Sequence, residues 1–198
     1  MKIVHLDKTH IRDICEIHAS TLRGDFLPSL GKNFLDLLYK NLLKSDLFFS
    51  YIAIEDLDVC GFIAGSENSK LLFRGVIRKN FFNFFYVLIL KIVSCPPVLL
   101  RIFQTFLYSK KTDKNGITGE LIIIAVAEKS QNKGLGNLLL SEFERHLYLK
   151  KIRKYKVTVI ENNIQAKSFY EKHGFIKISR FNLYKKNWEL YTKTFPDS

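Results

Sequence analysis

The stretch QNKGLGNLLL, residues 131–140, decides how this chain reads. Two glycines stand one residue apart, a lysine precedes them and a leucine run follows. Such a stretch is either an ordinary turn into a helix or a cradle of backbone N–H groups shaped for phosphate. Two phosphate motifs can be tested directly. A dinucleotide fingerprint needs a third glycine three residues after the second, where Leu139 stands. A P-loop needs its lysine after the last glycine, whereas Lys133 precedes Gly134. A helix N-terminus entered from a strand remains. Its unused N–H groups and the positive end of its dipole attract anions. Glycine at 134 and 136 lets a bulky phosphate approach the main chain. On its own the glycine pair is weak evidence, because strand-to-helix turns commonly carry glycine.

Working outward, GELIIIAVAE before the loop is a strand whose unbroken hydrophobicity implies burial on both faces. After it, Leu135, Leu139, Phe143 and Leu147 mark one stripe of an amphipathic helix. KYKVTVIE is a further strand. NIQAKSFYEKHG is a short helix, with Asn162 or Asn163 placed to cap its start and Gly174 to end it. The tail, residues 175–193, alternates enough for two more strands. Towards the N-terminus, MKIVHL predicts a strand, and a helix follows from Thr9, a candidate N-cap, through Ile11, Ile14, Cys15, His18 and Leu22. GKNFLDLLYKNLLKS predicts a second helix. FFSYIAIED and VCGFIAGSE predict a hairpin. The order β-α-α-β-β, an interruption, then β-α-β-α-β-β describes a mixed α/β domain around one sheet, a single domain over residues 1–198.

The interruption, at about residues 70–115, is too long for a structureless loop in a compact domain and predicts helices of its own. Residues 81–93 are apolar nearly all round, Pro96 and Pro97 break the chain, and residues 98–108 resume the pattern. Lys91 and the prolines cut the run below the ~18 to 20 apolar residues a membrane span needs. The favoured reading is a helical insertion that packs on the sheet or makes a homodimer contact. Peripheral membrane contact, with Arg78, Lys79, Lys110 and Lys111 at lipid headgroups, is less favoured.

The 31 basic and 19 acidic side chains leave a net charge of +12, which favours anionic partners without choosing among them. The three cysteines, Cys15, Cys60 and Cys95, are scattered, so neither a disulfide framework nor a zinc knuckle is suggested. No metal is expected: His10, Cys15 and His18 share a helix face that reads as half-buried. MKIVHLDKTHIRD lacks the apolar core of a signal peptide, and a cytoplasmic location fits. The basic run LKKIRKYK suits a helix C-terminus. No stacking module or recognition-helix motif accompanies it, so nucleic-acid binding is not expected.

ELIIIAVAEKSQNKGLGNLLL followed by VTVIENNIQAKSFYEKHGF resembles the GNAT superfamily of acetyl-CoA-dependent N-acetyltransferases. Gln131, Gly134 and Gly136 match its Arg/Gln-x-x-Gly-x-Gly/Ala pyrophosphate loop. Asn163, Ala166 and Tyr170 match its Asn-x-x-Ala-x-x-x-Tyr signature. The match covers residues 119–176, and it implies a mostly antiparallel sheet flanked by helices, with the insertion preceding the fourth strand. It further implies that acetyl-CoA lies between the fourth and fifth strands. Backbone groups of Ile124 and Val126 would then pair with the pantetheine arm. Those of Gln131, Asn132, Lys133, Gly134, Leu135, Gly136 and Asn137 would wrap the pyrophosphate, beside Asn163, Ala166, Phe169 and Tyr170. On this reading Gly136→Val blocks acetyl-CoA binding and leaves the fold intact.

The chemistry implied is direct acyl transfer to an amine. By resemblance Tyr170 is the general acid that protonates the departing thiolate. Glu120 stands eleven residues before Gln131, the spacing of the catalytic glutamate in histone-type members, and is the candidate base. Desolvation at the start of an apolar strand would suit it to that task. Val126 N–H is the candidate oxyanion donor. The acceptor expected is a primary amine of a small molecule such as an amino sugar, with a protein or peptide amine as the alternative. A non-catalytic acyl-CoA sensor is the remaining alternative. Arg23, Asp25, Tyr86 and Tyr108 are candidate walls of the acceptor side.

Overall fold

A computed structural model describes residues 1–22, 25–94 and 116–196. Strand β1 (Lys2–His5) leads into a single 3-10 turn, Lys8–His10, whose Thr9 N–H donates to the Asp7 carboxylate at 2.8 Å. Asp7, not Thr9, therefore caps this start. Helices α1 (Ile11–Thr21) and α3 (Lys32–Leu42) are joined through a four-residue helix, α2 (Phe26–Ser29), too short to leave a period in the sequence. The hairpin of β2 (Phe48–Glu55) and β3 (Asp58–Ser66) turns at Asp56 and Leu57, both with positive φ (48° and 72°). That conformation matches the right-handed twist of the strands it joins. The insertion forms α4 (Ser69–Lys79) and α5 (Phe81–Ser94). The predicted run at residues 98–108 lies outside the described residues.

Next come β4 (Gly119–Val126), α6 (Leu135–Leu149), β5 (Lys154–Ile160), α7 (Ile164–Lys172), β6 (Ile176–Leu183) and β7 (Lys186–Thr194). The seven strands form one sheet in the order β1-β2-β3-β4-β5-β7-β6, antiparallel throughout except between β4 and β5. The mixed, mostly antiparallel sheet expected from the sequence is the one observed.

Side chains alternating along these strands fill two cores, one on each face. On one, α1 and α3 pack Ile14 and Leu35 against Ile52 and Phe62. On the other, α6 lays its predicted stripe of Leu135, Leu139, Phe143 and Leu147 over Ile63, Leu121 and Val157. Each of these side chains is almost wholly buried, and burial of one Leu or Phe contributes roughly 1.5–3 kcal/mol. β4 feeds both cores, as its unbroken hydrophobicity predicts. Leu121 belongs to the α6 side and Ile123 to the α1 side, because an extra residue bulges between them in the pairing with β3.

Candidate active site

β4 and β5 run side by side for only three residue pairs, Gly119–Tyr155, Glu120–Lys156 and Leu121–Val157. Both strands then continue, β4 held by β3 and β5 by β7, so a wedge opens between them. The register fixes what the β4 wall presents. Ala127 N–H donates to Cys60 O across the β3 edge at 2.8 Å. Alternation along an antiparallel ladder then makes Gly61–Val126 and Ile63–Ile124 the pairs without mutual hydrogen bonds. The N–H and C=O groups of Val126 and Ile124 thus turn away from β3, into the wedge. Gln131 corroborates this direction, since its side-chain Nε2 donates to Val126 O at 3.1 Å.

Above the wedge stands the start of α6. The N–H of Gln131 is used by Glu128 O and that of Asn137 by Gly134 O, at 3.3 and 3.0 Å. The cradle predicted over residues 131–137 therefore narrows to residues 132–136, whose N–H groups have no backbone acceptor among the described residues. No side chain caps this helix; its N-cap is Gly134, held in the left-handed region at φ 79°. Asn132 is also left-handed (φ 61°). Lys133 has only a loose contact with Glu55, 3.9 Å away and largely in solvent. Leu135 turns its side chain into the core, so it can offer an anion only its amide.

Gly136 has a second duty. A Cβ there would sit 3.3 Å from Cε2 of Phe169, so the glycine lets α6 and α7 close on one another. Gly136→Val, expected to leave the fold intact, would therefore also press on the Phe169 ring. Phe169 spends its ring on Gly136 and on His173, whose ring centroid is 4.3 Å away. Asn163, not Asn162, caps α7, and accepts a hydrogen bond from Ala166 N–H at 3.0 Å.

The two predicted catalytic residues lie on opposite faces of the sheet. Tyr170 is buried in the α6–α7 core, 5.1 Å from the ring centre of Phe175. Burial pushes its phenol up from the ordinary value of 10, so the hydroxyl keeps its proton at neutral pH. Leu121 and Val157 share that core, so their neighbours Glu120 and Lys156 point to the other face. There Glu120 Oε2 lies 3.7 Å from Lys156 Nζ, and both side chains are within 5% of full burial. The register extends this pair into a row of four buried polar side chains, Ser66, Glu120, Lys156 and Thr192, across β3, β4, β5 and β7.

Sequence reasoning missed Lys156. It belongs to the basic run LKKIRKYK, which suits a helix C-terminus, whereas pairing with β4 buries it one step below the fork. Of the candidate acceptor walls, Asp25 is ion-paired to Lys186 at 3.3 Å, and Tyr86 is two-thirds exposed on α5. Arg23 and Tyr108 lie outside the described residues.

His18 and His146 are accounted for by packing. His18 shares a 2.8 Å hydrogen bond with the Tyr39 hydroxyl, and burial lowers its imidazole to about 4. His146 stacks on Phe49 at 3.8 Å and meets Glu67 at 3.2 Å. A separate hub forms around Glu189 on β7, which is fully buried. Burial alone would raise its carboxyl. The Tyr191 hydroxyl and the Lys177 and Lys167 ammonium groups outweigh that effect and hold it at about 2.

The model of the acetyltransferase (GNAT) family matches residues 11–175. Comparison with curated proteins finds no match. Among solved structures, the chain resembles a ribosomal-protein-alanine N-acetyltransferase from Brucella melitensis, with a TM-score of 0.65, 12% identity, and coverage of 98% of this chain and 100% of that one. It is similar to an N-acetyltransferase from Staphylococcus aureus Mu50 (TM-score 0.65, 12% identity, 98% and 97% covered). It is also similar to Ard1 from Thermoplasma volcanium (TM-score 0.62, 15% identity, 99% and 98% covered). At these identities the likeness is one of fold.

Proposed function

Because the chain belongs to the GNAT acetyltransferase family and is an acyltransferase, we propose that it moves the acetyl group of acetyl-CoA directly onto a primary amine of a small molecule. An amino sugar, free or nucleotide-linked, is the acceptor class. The observation that carries this reading is the wedge between β4 and β5, lined by outward main-chain groups and topped by an uncapped helix start. The pantetheine arm pairs with Ile124 as an added strand would. The amides of residues 132–136, assisted by Lys133, take the pyrophosphate. Val126 N–H faces the thioester carbonyl, where it stabilises the oxyanion as it forms.

In the transfer, the acceptor nitrogen forms a bond to the acetyl carbon and the carbon–sulfur bond breaks. Glu120 takes the proton the amine gives up, directly or through water, and Tyr170 gives its phenolic proton to the departing thiolate. A buried ion pair adds little to stability, so its presence one step below the fork supports a part in the chemistry. The net charge of +12 supports an acceptor that itself carries phosphate. The same reading takes residues 1–198 as one domain. It also places the protein in the cytoplasm, in keeping with the buried free thiols of Cys15 and Cys60.

The test is thiol release from acetyl-CoA against amino sugars, nucleotide-linked amino sugars, polyamines, amino acids and short peptides. Wild type is run beside Glu120→Gln and Tyr170→Phe. Turnover with amino sugars, lost in both variants, is the expected result. Turnover confined to peptides with a free N-terminus would replace the acceptor by a protein amine. That second reading draws on the ribosomal-protein-alanine enzyme, whose fold this chain shares. Acetyl-CoA binding without turnover on any amine would instead point to a sensor.

A further inference from the structure

The outer surface of the insertion carries what the active site leaves unused. Helix α5 buries Phe84 against Phe34, with ring centroids 5.7 Å apart, and half-buries Val87 and Leu88. Its other side is just as apolar but faces out: Phe82 is 83% exposed, Phe85 52%, Tyr86 66% and Ile89 40%. Their spacing of three, one and three residues is a single helical stripe. Monomeric proteins seldom display so many large apolar side chains together without a use for them. Helix α4 ends immediately before this stripe and turns Arg74, Arg78 and Lys79 to solvent. From residue 68 to residue 89 the chain has four basic residues and no acidic one.

We propose that this face docks the protein on an anionic lipid bilayer surface. Phe82, Phe85, Tyr86 and Ile89 enter the boundary between headgroups and acyl chains, while Arg74, Arg78 and Lys79 meet the lipid phosphates. No helix among the described residues is long and apolar enough to cross a membrane, so the contact is peripheral. Charge decides against the other occupant, a second copy of the chain. A twofold contact sets the same patch against itself, bringing the Arg78 and Lys79 cations towards their own copies with no carboxylate on this stretch to answer them. A bilayer carrying anionic lipid supplies the missing charge.

The experiment is co-sedimentation of the full chain with vesicles of phosphatidylcholine alone or with about 30% phosphatidylserine. Retention is expected on the anionic vesicles only, weakening as salt is raised. Replacing Arg74, Arg78 and Lys79 together by serine should weaken it on the order of 100-fold, roughly fivefold for each charge. Phe82→Ser with Phe85→Ser should abolish it, with the melting curve and thiol release from acetyl-CoA unchanged. A Phe82→Trp variant gives a second readout, because its added indole shifts to the blue on entering lipid. Several outcomes overturn the proposal: no retention on either vesicle, retention indifferent to both sets of substitutions, or an indole that stays in water. Concentration-dependent dimerisation, or salt-sensitive binding to DNA, abolished by Phe82→Ser without vesicle retention would assign the face elsewhere and overturn it equally.

Discussion

A packing contact and a proposed phosphate cradle meet at Gly136, and a double-mutant cycle can separate them. At this second residue of α6 a Cβ would lie 3.3 Å from Cε2 and 3.5 Å from Cζ of Phe169, against an ordinary carbon–carbon optimum of about 3.5–4.0 Å. Alanine therefore asks the ring to yield by a few tenths of an ångström, and its helix propensity returns up to about 1 kcal/mol. Gly136→Ala should be close to neutral in stability. Valine adds two γ-carbons and recovers only about 0.4 kcal/mol of propensity. Overpacking costs about 1–3 kcal/mol, so Gly136→Val should lose roughly 1–2 kcal/mol. Phe169→Leu opens the space the γ-carbons need. The pair should then be less destabilised than the sum of its parts by about 1 kcal/mol, read from urea melts of all four proteins. Acetyl-CoA affinity is measured on the same four. With packing relieved in the double variant, affinity should stay low, because the valine side chain still obstructs the amides of residues 132–136. Stability effects that add to within about 0.5 kcal/mol would refute the packing contact. Affinity that returns to the wild-type value with Phe169→Leu would refute the cradle.

Three further outcomes are expected. Tyr170→Phe should lower kcat by about 100-fold or more and leave KM for acetyl-CoA nearly unchanged, measured by thiol release at saturating acceptor. Glu189 is held at about 2 against an ordinary 4.5, so its contribution to stability is full above 4.5 and lost as pH falls towards 2. Glu189→Gln should therefore be less stable at neutral pH and show a shallower acid decline in urea melts. The imidazole of His18 lies at about 4 in the fold against an ordinary 6.5, so the unfolded chain binds the extra proton between those values. Stability should drop as pH falls from 6.5 to 4, and that slope should flatten in His18→Gln.

The parts of the molecule legible in the sequence are those with a period or a punctuation mark. The stripe Leu135, Leu139, Phe143 and Leu147 announced α6, and all four side chains are buried. Asn163 and Gly174 bracket α7 as cap and stop, the latter at φ 81°. The hairpin turn at Asp56 and Leu57 sits one residue earlier than the sequence suggested, since neither residue is the glycine or asparagine that usually marks positive φ. What had no local signal was missed. α2 is four residues long, below one period of a hydrophobic pattern. The duty of Gly136 towards Phe169 depends on how two helices close together at positions 33 residues apart in sequence, and no spacing rule carries that.

Lys156 shows why the site was harder to read than the fold. In KYKVTVI the lysine alternates with Tyr155 and Val157, and on an antiparallel strand with one wet face such alternation means solvent. Here the strand borders the fork, and β4 and β7 flank it at that level, so the face that should be wet carries Glu120 and Thr192 as neighbours instead. The pairing is set by register between segments 36 residues apart, Glu120 and Lys156. Beyond the three paired positions β4 and β5 are no longer paired with each other, so the wedge opens the sheet from one face to the other. The base proposed on the Glu120 face and the acid proposed on the Tyr170 face can act on one molecule only if the reacting carbonyl lies within that opening, which is where the outward N–H of Val126 is found.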